Sequence, residues 1–350
     1  MAANNSPACG PLHRTVNGVS DSNSDNGPNS TLKVSNAVSL SALGAPVVAI
    51  VATGGYGPDA AGLVRADTLL AAQGWFVRHF DNHAARYQRF AATDVERLEG
   101  LHAAARDPEV DIVIALRGGY GISRLLPEID FALLAASGKH FVGHSDVTAL
   151  HMGLLCHGAG SFAGPMICND FSREDVSVFT MQQFWQCLRG PCHAVQFASD
   201  KFLGTVDVRG TLWGGNLAML AHLVGTPYLP LIEGGILFLE DVNEHPFRIE
   251  RMLLQLLHAG ILERQQAVVL GDFSGASTSD YDNGYDFSNM LAFMRGHTHV
   301  PIVTGLPFGH IPDKVTLAVG STARLQGDAG SLVLTMEDYP VLRSDRVKLA

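Results

Sequence analysis

The sequence predicts an α/β protein in two parts, an amino-terminal α/β domain on a parallel sheet and a carboxyl-terminal α/β domain on a mixed sheet. Three observations carry this. From Pro46 onward short β-branched runs alternate with segments of helical spacing, the pattern of a parallel sheet with helices on its faces. Past Gly204 several strand-like runs are separated by turns alone, which suits a mixed sheet. A chain of 350 residues with 47% hydrophobic content is also long enough for two cores.

Residues 1–44 are rich in Asn, Ser and Gly and bury too little to offset the entropy of ordering, so a disordered tail is expected. Within it Ser30-Thr-Leu-Lys33 and Ser24-Asp-Asn26 match fragments of penicillin-binding enzymes. Their order is wrong, no KTG follows, and a tail lacks the rigid support a nucleophile needs. The first domain is assigned to 45–185. PVVAIVA reads as a strand, Leu63, Ala66, Leu69 and Leu70 as a helix face, and WFVRHF as a second strand. A helix over Val95 to Ala105, a strand over Asp111 to Leu116, a helix over Ile122 to Phe131 and a strand over His140 to Gly143 continue the alternation. Residues 186–204, with Arg189-Gly-Pro191, are expected to be a linker. The second domain, 205–350, opens with a helix expected over Gly210 to Val224. Next come a strand over Gly235 to Leu239, a helix over Phe247 to His258, and strands at Ala267–Leu270, Pro301–Val303, Val315–Ala318 and Leu332–Met336.

Composition narrows the partners. A net charge of -10 without a Lys/Arg run excludes the electrostatic footprint that nucleic acids or anionic membranes require, and leaves a small solute. No apolar run reaches the roughly 18–20 residues that span a bilayer, and the first residues lack the basic and apolar regions of a secretory signal. Cys9, Cys156, Cys168, Cys187 and Cys192 form an odd set without a CxxC pair, suggesting neither disulfides nor zinc. A soluble protein of a reducing, cytoplasmic compartment is expected.

The strongest local feature is Phe141-Val-Gly-His-Ser145-Asp-Val-Thr-Ala-Leu150, where a strand turns sharply through Gly and Ser into an apolar helix. Such an elbow exposes a serine oxygen beside the free N–H groups of a helix amino terminus. The same residues also suit a plain helix cap. A serine nucleophile needs a histidine base, and the histidine a carboxylate that fixes its tautomer. Glu240 and Asp241 end the apolar strand Gly235–Leu239 facing opposite ways, and the sequence leaves open which of them serves. Of fifteen histidines, His310 follows an apolar strand and the turn Gly305-Leu-Pro-Phe-Gly309. His297 and His299 lack a partner at metal-ligand spacing and read as a solvated loop. A rival lies in Gly55-x-Gly57-x-x-Ala60 with Asp81 closing the second strand, the outline of a dinucleotide-binding turn. Pro58 removes an N–H from that turn, and no hydride-transfer set follows. Arg117-Gly-Gly-Tyr-Gly121 closes the third strand, where open α/β sheets bind ligands.

Together these blocks resemble the LD-carboxypeptidase family of serine peptidases, which includes the microcin C immunity proteins. The likeness runs from Pro46 through Arg117-Gly-Gly-Tyr-Gly121 with Arg124-Leu-Leu-Pro127, Gly143-His-Ser-Asp146 with Thr148-Ala-Leu-His151, and Gly214-Gly-Asn-Leu217 with Gly225-Thr-Pro227. It continues through Leu237-Phe-Leu-Glu-Asp241 with Arg248-Ile-Glu-Arg251, and ends at Gly305-Leu-Pro-Phe-Gly-His310. The resemblance implies a triad of Ser145, Glu240 and His310 in a site between the domains. It also implies an oxyanion hole from the N–H groups of Asp146 and Gly119, with Gly118 as the alternative, and substrate contacts from Arg117, Tyr120 and Asn216. No metal or cofactor is implied. The expected partner is a small peptide, a muropeptide losing its terminal D-alanine, or an aminoacyl-nucleotide toxin in the immunity branch, and the expected assembly is a homodimer. A non-catalytic solute-binding module on the same scaffold would hold the three residues apart. His144 stands where the family has an aromatic, and a histidine there brings a group that titrates near neutrality.

Overall fold

The computed structural model describes residues 45–82, 84–199, 204–328 and 330–342, so the tail expected over 1–44 and its S-x-x-K match lie outside the described residues. In chain order the strands are β1 Val47–Val51, β2 Phe76–His79, β3 Ile112–Ala115, β4 His140–Gly143, β5 Ser161–Ala163, β6 Cys192–Phe197 and β7 Val206–Asn216. They continue with β8 Ile236–Glu240, β9 Ala267–Leu270, β10 Ile302–Thr304, β11 Leu317–Val319, β12 Thr322–Asp328 and β13 Ser331–Glu337.

The first sheet has the order β11-β5-β4-β3-β1-β2 and is parallel except for β11, which runs antiparallel to β5. Every residue of β1, β3 and β4 is buried, as strands covered by helices on both faces must be. The second sheet has the order β10-β9-β8-β7-β12-β13-β6. Strands β7 to β10 are parallel, and β12, β13 and β6 extend it by antiparallel pairing. The expected α/β architecture, one parallel sheet and one mixed, is the one observed. No helix among the described residues is long and apolar enough to cross a membrane.

Three segments differ from expectation. The helix expected over 210–224 is confined to Leu217–Leu223, because 210–216 complete β7. Gly214 and Gly215, with φ of 134° and 142°, are there for close approach: a Cβ on Gly214 would lie 2.0 Å from the Phe238 carbonyl oxygen, and one on Gly215 2.4 Å from Thr148 Oγ1. The passage expected over 186–204 holds the end of the helix Val178–Arg189 and strand β6, which edges the second sheet with His193, Val195 and Phe197 turned inward. The strand expected at 315–318 forms as β11, and it joins the first sheet.

Candidate active site

Ser145 sits where β4 gives way to helix Thr148–Cys156. The chain turns tightly there: a Cβ on Gly143 would lie 2.8 Å from Val147 Cγ2, and Ser145 itself holds φ 62°, the left-handed region that a serine adopts only under constraint. A single helical turn over Ser145–Val147 leads into the helix, so the N–H of Asp146 belongs to the unsatisfied first turn. Gly118 packs against this elbow. A Cβ on it would meet Ser145 Cβ at 2.8 Å and Oγ at 3.0 Å, so only glycine lets the 117–121 turn lie beside the serine. Gly119 follows with φ 92° and open space on its Cβ side. The Asp146 carboxylate ties the two turns together by accepting a 2.9 Å hydrogen bond from the Ile122 N–H. Its other oxygen is buried without a partner, and burial pushes its pKa up to about 6.

Glu240 ends β8 fully buried, and its Oε2 accepts a 2.8 Å hydrogen bond from His310 Nδ1. Gly309 permits the approach, since a Cβ there would lie 3.3 Å from that oxygen. With Nδ1 donating to Glu240, the Nε2 of a neutral His310 is an acceptor. Burial, the largest influence on His310, disfavours its charged form. The hydrogen bond and charge of Glu240 outweigh it and leave the pKa above the ordinary histidine value.

Asn216 pairs with Glu240 in strand register, and its amide nitrogen donates to Glu240 Oε1 (3.2 Å) and to Asp241 Oδ1 (3.0 Å). Its oxygen accepts from the Met219 N–H at 3.1 Å, capping helix Leu217–Leu223. Asp241 is further bound by the N–H groups of Ala218 and Val242, both at 2.9 Å, and burial raises its pKa to about 6. Of the two carboxylates that the sequence left open, Glu240 holds the histidine, while Asp241 accepts from the N–H groups of Ala218 and Val242.

Both sheets meet at a cleft of about 420 Å³ lined by Arg117, Gly118, Gly119, Ser145, Asp146 and Asn216, with Asp241 and His310 on the same wall as Asn216. Tyr120 is not among its lining residues; it is 42% exposed and packs on Phe90 and under Arg89. Arg117 donates to the Tyr56 carbonyl oxygen at 3.2 Å, and no carboxylate pairs with it among the described residues. His144, 3% exposed, donates Nδ1–H to the Gly164 carbonyl at 2.9 Å and stands edge-on to His310 with ring centroids 5.2 Å apart. Burial drives its pKa well below the ordinary value, aided by the charge of Lys314, so it is neutral at physiological pH and does not titrate as the sequence suggested. The glycine turn at 54–57 supports its neighbour, with Gly55 N–H donating to the Gly118 carbonyl at 3.0 Å, while Asp59 at the helix start pairs with Arg65 at 2.8 Å. Asp81 is turned to His79, at 3.2 Å. His297 donates to the Phe293 carbonyl at 2.7 Å, and the described residues contain no metal-binding cluster of His, Cys, Asp and Glu. A hydroxyl beside free N–H groups, in one cleft with a carboxylate-anchored imidazole, is an arrangement suited to acyl transfer.

Comparison with known proteins gives a consistent result. The sequence profile described as the LD-carboxypeptidase N-terminal domain matches residues 48–164, and that of the C-terminal domain matches 209–325. The chain is 33% identical over 263 residues to the murein tetrapeptide carboxypeptidase of Pseudomonas aeruginosa, covering 71% of this chain and 84% of that one. The crystal structure of muramoyltetrapeptide carboxypeptidase from Oxalobacter formigenes superposes with a TM-score of 0.81 at 54% identity, covering 84% of this chain and all of the other. The microcin C7 self-immunity protein in complex with aspartyl sulfamoyl adenosine shares the fold, with a TM-score of 0.74 at 20% identity over 84% of this chain and 97% of that one.

Proposed function

Because the chain belongs to the LD-carboxypeptidase family, a family of peptidases, we propose that it is a serine-type carboxypeptidase that releases the terminal D-alanine of muropeptide tetrapeptides in cell-wall recycling. The observation that carries the substrate is the 54% identity, at full coverage of its chain, to the muramoyltetrapeptide carboxypeptidase. The immunity protein shares only the fold at 20% identity, so hydrolysis of an aminoacyl nucleotide is the second reading.

In this reading Ser145 is the nucleophile, His310 the base and Glu240 its anchor. Support comes from the left-handed elbow at Ser145 and from the 2.8 Å hydrogen bond between His310 and buried Glu240. Ser145 Oγ attacks the carbonyl carbon of the amide as His310 Nε2 takes its proton. The oxyanion accepts hydrogen bonds from the N–H groups of Asp146 and Gly119, and the imidazolium returns the proton to the departing amine. Water, deprotonated by His310, then splits the acyl-enzyme. Arg117, a cleft cation that no carboxylate among the described residues pairs with, receives the substrate's terminal carboxylate. Asn216 serves the reaction through Glu240 and Asp241, its donors being engaged there. The reading carries with it a cytoplasmic location and a homodimer.

The test is D-alanine release from a muropeptide tetrapeptide by the wild type and by Ser145→Ala, with and without a chelator. Release that persists with chelator and vanishes in the variant is expected. A folded wild type that releases nothing sinks the muropeptide assignment.

A further inference from the structure

A buried charge pair that acyl transfer leaves unused joins two segments at the cleft. Lys314 Nζ is ion-paired with Asp170 Oδ1, and the two residues are 2% and 3% exposed. Asp170 belongs to the turn after β5, whose Met166 and Asn169 line the cleft and whose Asn169 holds a left-handed φ of 74°. Its other carboxylate oxygen closes that turn by accepting from the Met166 N–H at 2.8 Å. Lys314 lies four residues beyond His310, and residues 312–314 are each tied down. Lys314 N–H donates to Thr180 Oγ1 at 2.9 Å, the Thr180 hydroxyl donates to the Pro312 carbonyl at 2.7 Å, and Ser177 Oγ donates to Asp313 Oδ1 at 2.6 Å.

Stability does not account for such a pair. Desolvating both ions offsets much of their attraction, and apolar residues of the same volume often serve a core as well. Placement does account for it, because the lysine charge acts on His310 and on His144 alike. The charged and titratable groups that bear on His310 are Glu240 and Asp241 from the end of β8, Lys314 from its own segment, and neutral His144 from the elbow.

We propose that the Lys314–Asp170 pair is a positioning device of the active site. It clamps the segment carrying His310 onto the turn bearing Met166 and Asn169, and keeps a standing positive charge near the imidazole. This rests on the reading of His310 as the base, yet its test does not depend on the substrate. The His310 ring is titrated by NMR in the wild type, in Lys314→Arg and in the double variant Lys314→Met/Asp170→Asn, whose Asn oxygen still accepts from Met166. Tetrapeptide kinetics are run beside the titrations, so a wild type without activity would count against the muropeptide reading alone.

Loss of the lysine charge, offset in part by loss of the Asp170 charge, should let His310 hold its proton to higher pH and move its midpoint upward in the double variant. The acid limb of kcat/KM should move with it, and kcat should fall about tenfold or more with KM within about twofold. Lys314→Arg keeps the charge and should keep the wild-type midpoint. A folded double variant with His310 unmoved overturns the proposal, and where the tetrapeptide is turned over so does a kcat within twofold of wild type. So does an upward shift in Lys314→Arg, which decides the matter if the double variant does not fold.

Discussion

Replacing Asn216 with alanine tests the reasoning about the site most directly, because three hydrogen bonds fail at once. The cap on helix Leu217–Leu223 is lost, which costs about 1 kcal/mol. Glu240, fully buried, loses the donor to Oε1, and bonds to charged groups contribute about 1.5–3 kcal/mol. Asp241 loses one of its three donors but keeps the N–H groups of Ala218 and Val242. Since the parts share a centre and are not additive, a net loss of about 3 kcal/mol is expected. A carboxylate less firmly held also orients His310 less well, so kcat should fall about tenfold to a hundredfold. Urea unfolding at pH 8 and steady-state kinetics measure both. Asn216→Asp sharpens the test. It preserves an N-cap oxygen but sets a third carboxylate against Glu240 and Asp241, which raises the folded-state pKa values of the cluster. A raised carboxylate pKa contributes stability below the unfolded value that is lost as pH rises through the folded one, so this variant should recover stability on acidification. An Asn216→Ala protein within about half a kcal/mol of wild type, with unchanged kcat, would refute the network.

Other consequences are equally open to measurement. Since His310 holds its proton more firmly than an ordinary histidine, kcat/KM should fall as pH drops through a midpoint above 6.5; Glu240→Gln should move that limb to lower pH and reduce the rate severely, read from a profile over the acid and neutral range. Ser145→Gly should abolish activity while raising stability by about 1 kcal/mol, because glycine relieves the left-handed strain, whereas Ser145→Ala should bring no such gain in thermal unfolding. Asp146, whose folded pKa is raised from 3.8 to about 6, contributes stability below the unfolded value that is lost as pH rises from there through about 6; Asp146→Asn should be about 2–3 kcal/mol more stable than wild type in urea at pH 8, with the difference shrinking toward pH 4.

What the sequence makes legible is local. The elbow at Ser145 is written within ten residues, and the buried runs of β1, β3 and β4 stand out because both faces of a parallel strand are apolar. Glu240 is visible as a strand end and His310 as the residue after the turn 305–309, but their pairing depends on tertiary placement across 70 residues, and the family resemblance supplied it. Gly214 and Gly215 fall inside the helix expected over 210–224, because what requires them, the Phe238 carbonyl and Thr148, lies elsewhere in the chain. Strand β6 hides for a different reason. Its inward series includes His193, which is buried on Gln183 at 3.0 Å and held at a pKa of about 4 by burial, so the alternation of apolar and polar residues is broken on paper. The Lys314–Asp170 pair, 144 residues apart, leaves no sequence signal.

The route of the chain explains how a site shared between two sheets keeps its geometry. His310 lies on the crossing from β10, in the second sheet, to β11, in the first. The imidazole is therefore fixed at both ends of its segment: behind it by β10 paired to β9, and ahead of it by β11 paired to β5, whose other neighbour is β4, the strand that presents Ser145. Opening the cleft by a hinge between the sheets would strain or break the β11–β5 ladder, so separation of the serine from the histidine is opposed by backbone hydrogen bonds as well as by side-chain contacts. The residues that would act as nucleophile and base stand on different sheets, yet the strand order makes them near neighbours in one framework, and that framework is preorganised before substrate arrives.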